Sequence, residues 1–300
     1  MDDREHEALT ALLPSARMRE GAEDGARDVS QAAISLPEMQ ARARAVRRFA
    51  VQATARTRAS HIGSALSVTD ILVAVYFAAM RPDRAGIHGD HCILSKGHAA
   101  VALYGVLAER GVLRVSDIEH FYENGSLLAG HPEPNAEAGI IFGSGSLGHG
   151  LPVSNGMSFG KRLAGSDGHT WVVMSDGECE EGSTWEAALF AAQHRLGNLT
   201  AIVDRNGIQG MGSTESIMGL EPFAQKWRAF GWRTLEVDGH DLAALAEAAQ
   251  PAGSTTGQPT MVIARTTKGK GVSFMEANND WHYRSANPDE LATALAELAG

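Results

Sequence analysis

"VVMSDGECEEGSTWEAALFAAQHRLGNLTAIVDRN", residues 172–206, holds two apolar runs, each closing on an acid and a turn-forming residue. The first run ends at Ser175-Asp176-Gly177 and the second at Asp204-Arg205-Asn206, with an alanine-rich, helix-like stretch opened by Gly182 between them. Strand, helix and strand in that order read as a crossover unit whose two strands lie parallel. Ligands of open parallel sheets gather beyond the carboxyl ends of the strands, where helix N-termini aim their N–H groups. Asp176 and Asn206 both stand at such ends.

The same rhythm continues outward in both directions. Short apolar runs at 91–95, 232–237 and 260–264 read as further strands, and helix-like stretches occupy 97–109, 151–164, 183–195, 222–230 and 241–250. The alternation predicts an α/β fold, a parallel sheet sandwiched by helices. Upstream, Pro37 opens a basic amphipathic helix reaching Arg58, and Ser67 with Asp70 predicts a capping-box start for a helix running to Met80. Residues 123–146, rich in Gly, Pro and Asn, read as a long loop of the kind that usually carries function. Residues 1–34 read as a tail or loosely packed extension, and 35–300 as one domain.

Composition narrows the function classes. Thirty-six acidic against twenty-six basic residues give a net charge of −10, which argues against nucleic acid or an anionic membrane as partner. Any phosphate must therefore be held locally. The apolar run 71–80 is too short to span a bilayer, and the opening Met1-Asp2-Asp3-Arg4-Glu5 lacks the pattern of a secretion signal. Cys92 and Cys179 offer neither a disulfide framework nor zinc spacing, so a cytoplasmic location is expected.

Gly177 leaves backbone room for an anionic group, while Glu178, Glu180 and Glu181 add negative charge around it. Acids hold a phosphate only through a metal. Mg²⁺ takes about six oxygen ligands, and a carboxylate from Asp176, an amide oxygen from Asn206, the carbonyl of Ile208 and phosphate oxygens would nearly fill that shell. The plainer alternative is an Asp-Gly turn with a helix cap. Thirty residues separate Asp176 from Asn206, and this resembles the thiamine-diphosphate signature, a Gly-Asp-Gly followed some thirty residues later by Asn.

Other stretches resemble the diphosphate-binding half of the transketolase family in the same order. Ser60-His61-Ile62-Gly63 is similar to a Ser-Gly-His-Pro-Gly loop, "LSKGHAAVALYGVLAERG" at 94–111 to a strand-to-helix turn, and "GHPE" at 130–133 and "GSGSLGHGLPVSNGM" at 143–157 to two further segments. "ARTTKGKGVSFMEANNDWHYRS" at 264–285 resembles the closing strand and a loop bearing one more active-site histidine. The resemblance covers roughly residues 37 to 290.

It implies thiamine diphosphate and Mg²⁺ or Ca²⁺ as cofactors, with Asp176, Asn206 and Ile208 as metal ligands. His98, Gly145, Leu147, Gly177, Asn206 and His282 would touch the cofactor. His61, His131 and His282 would face the sugar, a place that suits imidazole because it exchanges protons near neutral pH. Glu181 would join a carboxylate network between the two cofactor sites of a dimer. His88, His91, His120, His169, His194 and His240 lack such contexts and read as surface or structural. Lys268 and Lys270 fit either a phosphate or a solvated turn.

Some positions depart from the family pattern. Ser175 stands for glycine, Ile62 and Ser146 for proline, His149 for glutamine, and Tyr283-Arg284 follow His282 where glycine is usual. The last change predicts an altered sugar site, or a clamp for phosphate or carboxylate at Arg284. The family's activating glutamate and the aromatic that stacks on the aminopyrimidine belong to a second α/β domain, which these residues do not contain. The expectation is therefore a split transketolase: this chain with a separate C-terminal subunit carrying the pyrimidine-binding domain, as an α2β2 assembly moving a two-carbon ketol unit from a phosphorylated ketose to an aldose. The alternatives are a subunit of a 2-oxo acid decarboxylase or dehydrogenase, a deoxyxylulose-phosphate-synthase-like subunit, and a catalytically silent cofactor-binding subunit. A dinucleotide-binding domain is disfavoured, since no G-x-G-x-x-G follows a first strand.

Overall fold

Five strands, β1 (His91–Leu94), β2 (Thr170–Ser175), β3 (Leu199–Arg205), β4 (Arg233–Asp238) and β5 (Thr260–Arg265), form one sheet in the computed structural model, which describes residues 34–81, 86–252 and 257–299. The extension expected over residues 1–34 lies, but for its last residue, outside the described residues. Every pairing is parallel and the order is β1-β2-β3-β5-β4. All carboxyl ends therefore open on one edge.

Burial on both faces explains the near-continuous apolar runs. Alternate residues along each strand feed two cores: Trp171 and Val173 of β2, with Ile202 and Val262, pack on one side, and Val172 and Met174, with Ala201, Val203 and Ile263, on the other. The first core is covered by α1 (Leu36–Thr57), α2 (Ile62–Ala74), α3 (Ala100–Glu109) and, further along the chain, α7 (Leu242–Ala248). The second takes α4 (Gly150–Leu163), α5 (Gly182–Gln193) and α6 (Phe223–Ala229). A last helix, α8 (Pro288–Glu297), is started by a capping box between Asn287 and Glu290.

Ser35 caps α1 by accepting from the Glu38 N–H, Pro37 sits in its first turn, and Arg58 ends it in a left-handed conformation. The start expected at Ser67 is wrong. The helix begins at Ile62 behind His61, and all thirteen residues of α2 are buried before it passes into one π turn, Val75–Ala79. Ser67 and Asp70 imitate a cap in sequence, yet both are tertiary partners inside the helix. The Ser67 hydroxyl donates to Asp204 at 2.6 Å, and Asp70 takes Arg47 at 2.6 Å and His240 at 2.7 Å. His240 Nε2 accepts from the Thr267 N–H at 2.8 Å, so Nδ1 carries the proton shared with Asp70. This histidine is structural, as its context suggested, and it ties α2 to the turn after β5.

Candidate active site

The ends of β1, β2, β3 and β5 supply the floor. Asp176 Oδ1 accepts from the Gly177 N–H at 2.8 Å, while Oδ2 accepts from the Gly207 N–H at 2.7 Å and from Arg205 at 3.3 Å. The Asn206 amide oxygen accepts from the Ile208 N–H at 3.1 Å, and the Ile208 carbonyl accepts from Lys268 Nζ at 3.1 Å. The three expected metal donors are thus gathered, with Asp176 bonded to the backbone between the other two. A Cβ on Gly177 would lie 3.0 Å from Gln209, so the two loops run in contact.

A hard divalent cation fits this donor set. One carboxylate, one amide oxygen and one carbonyl are all oxygen, and a monocation, the Lys268 ammonium, already sits on the carbonyl. Among the described residues no three or more His, Cys, Asp and Glu cluster in a way that could hold a metal, so these three oxygens are the donors the chain offers here. The three neighbouring glutamates do not converge on this point. Glu178 is buried, accepting from Ser95, from Gly148 N–H at 3.0 Å and from Ser175 N–H at 3.3 Å, which joins three loops; burial pushes its carboxyl up from the usual range. Glu180 pairs with Gln209, and Glu181 is exposed at the head of α5.

Two lysines change the electrostatics. Lys96 is wholly buried against Asp204, whose carboxylate also takes the hydroxyls of Ser67 and Thr266. Lys268 is 1% exposed, so a solvated turn is not its environment. Its ammonium donates to the carbonyls of Ile208 and Gln209 and to His282 Nδ1 at 2.9 Å, and burial, with Lys96 nearby, pushes its pKa down to about 8. Lys96 spends its charge on Asp204, whereas Lys268 makes no ion pair among the described residues and is the uncompensated cation at the strand ends. The sequence signal was present in "LSKGHA" and "TTKGKG", but nothing local says that a lysine is buried.

Above this floor stand the histidines. His61 has ring centroids of His98 at 5.3 Å, His131 at 5.9 Å and His282 at 4.9 Å around it, and His98 lies 5.9 Å from His282. Residues 61, 98, 131 and 282 are brought together by the start of α2, the turn after β1, the long loop and the loop after β5. The loop with Gly145 and Leu147 crosses the turn bearing His98: Ser144 donates to the Leu94 carbonyl at 2.7 Å, and a Cβ on Gly97 would lie 2.2 Å from the Ser144 carbonyl oxygen. Burial lowers the pKa of all four imidazoles, to about 4 for His61 and about 3 for His282, helped at those two by the charges of Lys268 and Lys96. At neutral pH each is therefore a neutral ring with one N–H and one lone pair.

Arg284 does not point to an anion. It pairs with Glu290 at 2.6 Å and lies 4.5 Å over the Trp281 ring. Tyr283, in contrast, stays at the rim, its ring 4.7 Å from that of His282.

A family described as transketolase, thiamine diphosphate binding domain, matches residues 39–299. This chain belongs to the transketolase family. It is 39% identical over 272 residues to an apulose-4-phosphate transketolase subunit from Actinobacillus succinogenes, a match covering 88% of this chain and 97% of that protein. A 6-deoxy-6-sulfo-D-fructose transketolase subunit from a Clostridium species is 34% identical over 264 residues, 87% of this chain and 96% of that one. The solved transketolase of Pichia stipitis superposes with a TM-score of 0.78 at 29% identity, over 87% of this chain. The chain spans 40% of the length of that transketolase. Both the α/β fold and the thiamine-diphosphate-binding domain expected from the residues are those of this family.

Proposed function

We propose that this chain is the diphosphate-binding subunit of a two-chain transketolase that moves a two-carbon ketol unit from a ketose, in phosphorylated form, to an aldose. The separate partner subunit would carry the pyrimidine-binding domain and the activating glutamate, in an α2β2 assembly. The observation that carries the reading is the gathering of four histidine rings over strand ends whose oxygens fit a divalent cation and where Lys268 carries an unpaired charge. The two-chain form is supported by relatives named as transketolase subunits, which match along nearly their whole length, against 40% for the solved Pichia stipitis chain.

Thiamine diphosphate, when bound, supplies the carbanion chemistry that breaks and forms the carbon–carbon bond. Asp176, Asn206 and the Ile208 carbonyl would hold Mg²⁺ or Ca²⁺, Lys268 would offset part of the diphosphate charge, and Gly177 leaves the backbone open to it. His98, Gly145 and Leu147 would line the cofactor. His61, His131 and His282 would bind substrate oxygens and hold their protons. Because Lys268 donates to His282 Nδ1, the proton of that ring is on Nε2, available to a substrate oxygen. The His61 Nδ1 meets the Ser60 hydroxyl at 3.0 Å, which orients the ring and leaves its other nitrogen to the site. Glu181, exposed at the head of α5, is the carboxylate we assign to contact across the assembly.

The test is ketol transfer, measured for the purified chain alone and for the chain reconstituted with its partner. Turnover should need both chains, thiamine diphosphate and a divalent cation. Strong activity from the chain alone would refute the two-chain reading.

A further inference from the structure

The histidines account for the reacting carbons of the sugar, and the rim above them shows what meets the rest. Two tyrosines stand there exposed, Tyr122 at 53% and Tyr283 at 65%. Tyr122 lines the same small cavity as Ser60, His61, His98, Gly130 and His131. On the other side Tyr283 stands edge-on to His282, with its hydroxyl close over Gly210, where a Cβ would lie 2.7 Å from it. Among the described residues neither hydroxyl has a hydrogen-bond partner.

Tyr122 is held in a conformation that a ring-bearing residue disfavours, φ 62°. The Leu128 carbonyl takes its N–H at 2.8 Å, and its ring rests on Gly130, where any Cβ would lie 2.4 Å from Cε2. His61, at φ 74°, is the other non-glycine residue with left-handed backbone that lines this cavity. Such strain persists where surrounding structure enforces it, and it collects at sites that grip ligands. The chemistry on offer is neutral: a phenol hydroxyl and an aromatic face on each side, since Arg284 is drawn away to Glu290 and Trp281. That set matches a hydroxylated carbon chain, whose hydroxyls take the phenols and whose C–H faces lie on the rings.

Resting on the transketolase reading, we propose that Tyr122 and Tyr283 are specificity-determining residues that grip the hydroxyl-bearing tail of the sugar beyond its reacting carbons. The test uses the reconstituted two-chain enzyme with hydroxypyruvate as ketol donor, which has no carbon beyond C3, and two classes of acceptor. Glycolaldehyde has no tail; D-erythrose, D-ribose and their phosphates do. The wild-type enzyme should prefer a tailed acceptor. Tyr283→Gly and Tyr122→Phe should each lower the ratio of kcat/KM for that acceptor over kcat/KM for glycolaldehyde about tenfold, through KM, with cofactor uptake as the check on folding. A proportional fall for both acceptors, no fall for either, or a wild-type enzyme indifferent to the tail overturns the assignment. A wild-type complex inert to hydroxypyruvate with every acceptor takes down the transketolase reading as well.

Discussion

At the floor of the site Lys96 and Asp204 bury a full ion pair, and every neighbour of that carboxylate is tied: Ser67 on α2, Thr266 after β5, Asn206 at 3.5 Å. At the rim, a few ångströms of imidazole away, four neutral rings and two exposed phenols make few bonds to one another. Burying charge without pairing costs several kcal/mol per ion, so the floor has to be specified in detail and can scarcely vary. A rim of neutral groups carries no such penalty. The contrast separates two tasks, holding a constant cofactor below and reading a variable sugar above.

The sharpest way to break this comparison is to strike the floor. Asp176→Ala should weaken uptake of thiamine diphosphate with Mg²⁺ by roughly 100-fold or more, since it removes the carboxylate of the cation's donor set and leaves Arg205 facing the gap. Calorimetric titration checks it; uptake equal to wild type would mean that no cation is held there. Striking the rim should do the opposite. His61→Ala or His131→Ala should lower kcat by about 10²–10⁴-fold while cofactor affinity stays within a few-fold. A rim variant that loses the cofactor instead would show that the two layers are one.

The same division decides what the amino-acid order reveals. Asp176 and Asn206 were legible because both close strands of one crossover unit, so a fixed spacing places them side by side. The parallel sheet was legible for a similar reason, an apolar run wherever both faces are covered. His61, His98, His131 and His282 lie on four separate segments, and only the likeness of each segment to a family connected them. What escaped is tertiary in origin. Ser67 and Asp70 spell a capping box but face Asp204 and Arg47 inside a helix. Lys268 fitted a phosphate contact or a solvated turn equally, Lys96 carried no signal of its own, and both are buried cations of the floor. Tyr122 carries no local sign of its left-handed backbone, nor of the room its ring takes over Gly130, eight positions away.

One residue links the layers, and altering it should give an intermediate effect. Lys268→Met removes the unpaired cation of the floor and a donor from His282. Inorganic pyrophosphate with Mg²⁺ should bind about tenfold more weakly, the usual size for one charge-assisted bond. Because the Lys268 charge also depresses His282, that imidazole should titrate at a higher pH in the variant, observable by NMR of its ring protons. Weaker pyrophosphate with an unmoved His282 would detach the floor from the rim.

The smallest effect concerns stability without any ligand. In the unfolded chain His61 and His282 take up protons near 6.5, whereas in the folded chain burial, with the neighbouring charges, delays this to about 4 and about 3. As pH falls from 6.5 toward 4 the unfolded state therefore binds more protons, and stability declines with it. At Asp70 the upward push of burial is outweighed by Arg47 and His240, and carboxylates of this kind lose their contribution as pH falls through their unfolded value of 3.8, so above about pH 5 the decline belongs to the histidines. His169, at the opposite end of β2, is buried to a pKa of about 3 and adds a decline of the same sign. The melting temperature of the chain should thus fall between pH 7 and 5, and His61→Gln should make that fall shallower without removing it. An identical slope in the variant would mean that the rim histidines of the free protein are already hydrated, and that the cofactor, rather than the fold, makes them neutral.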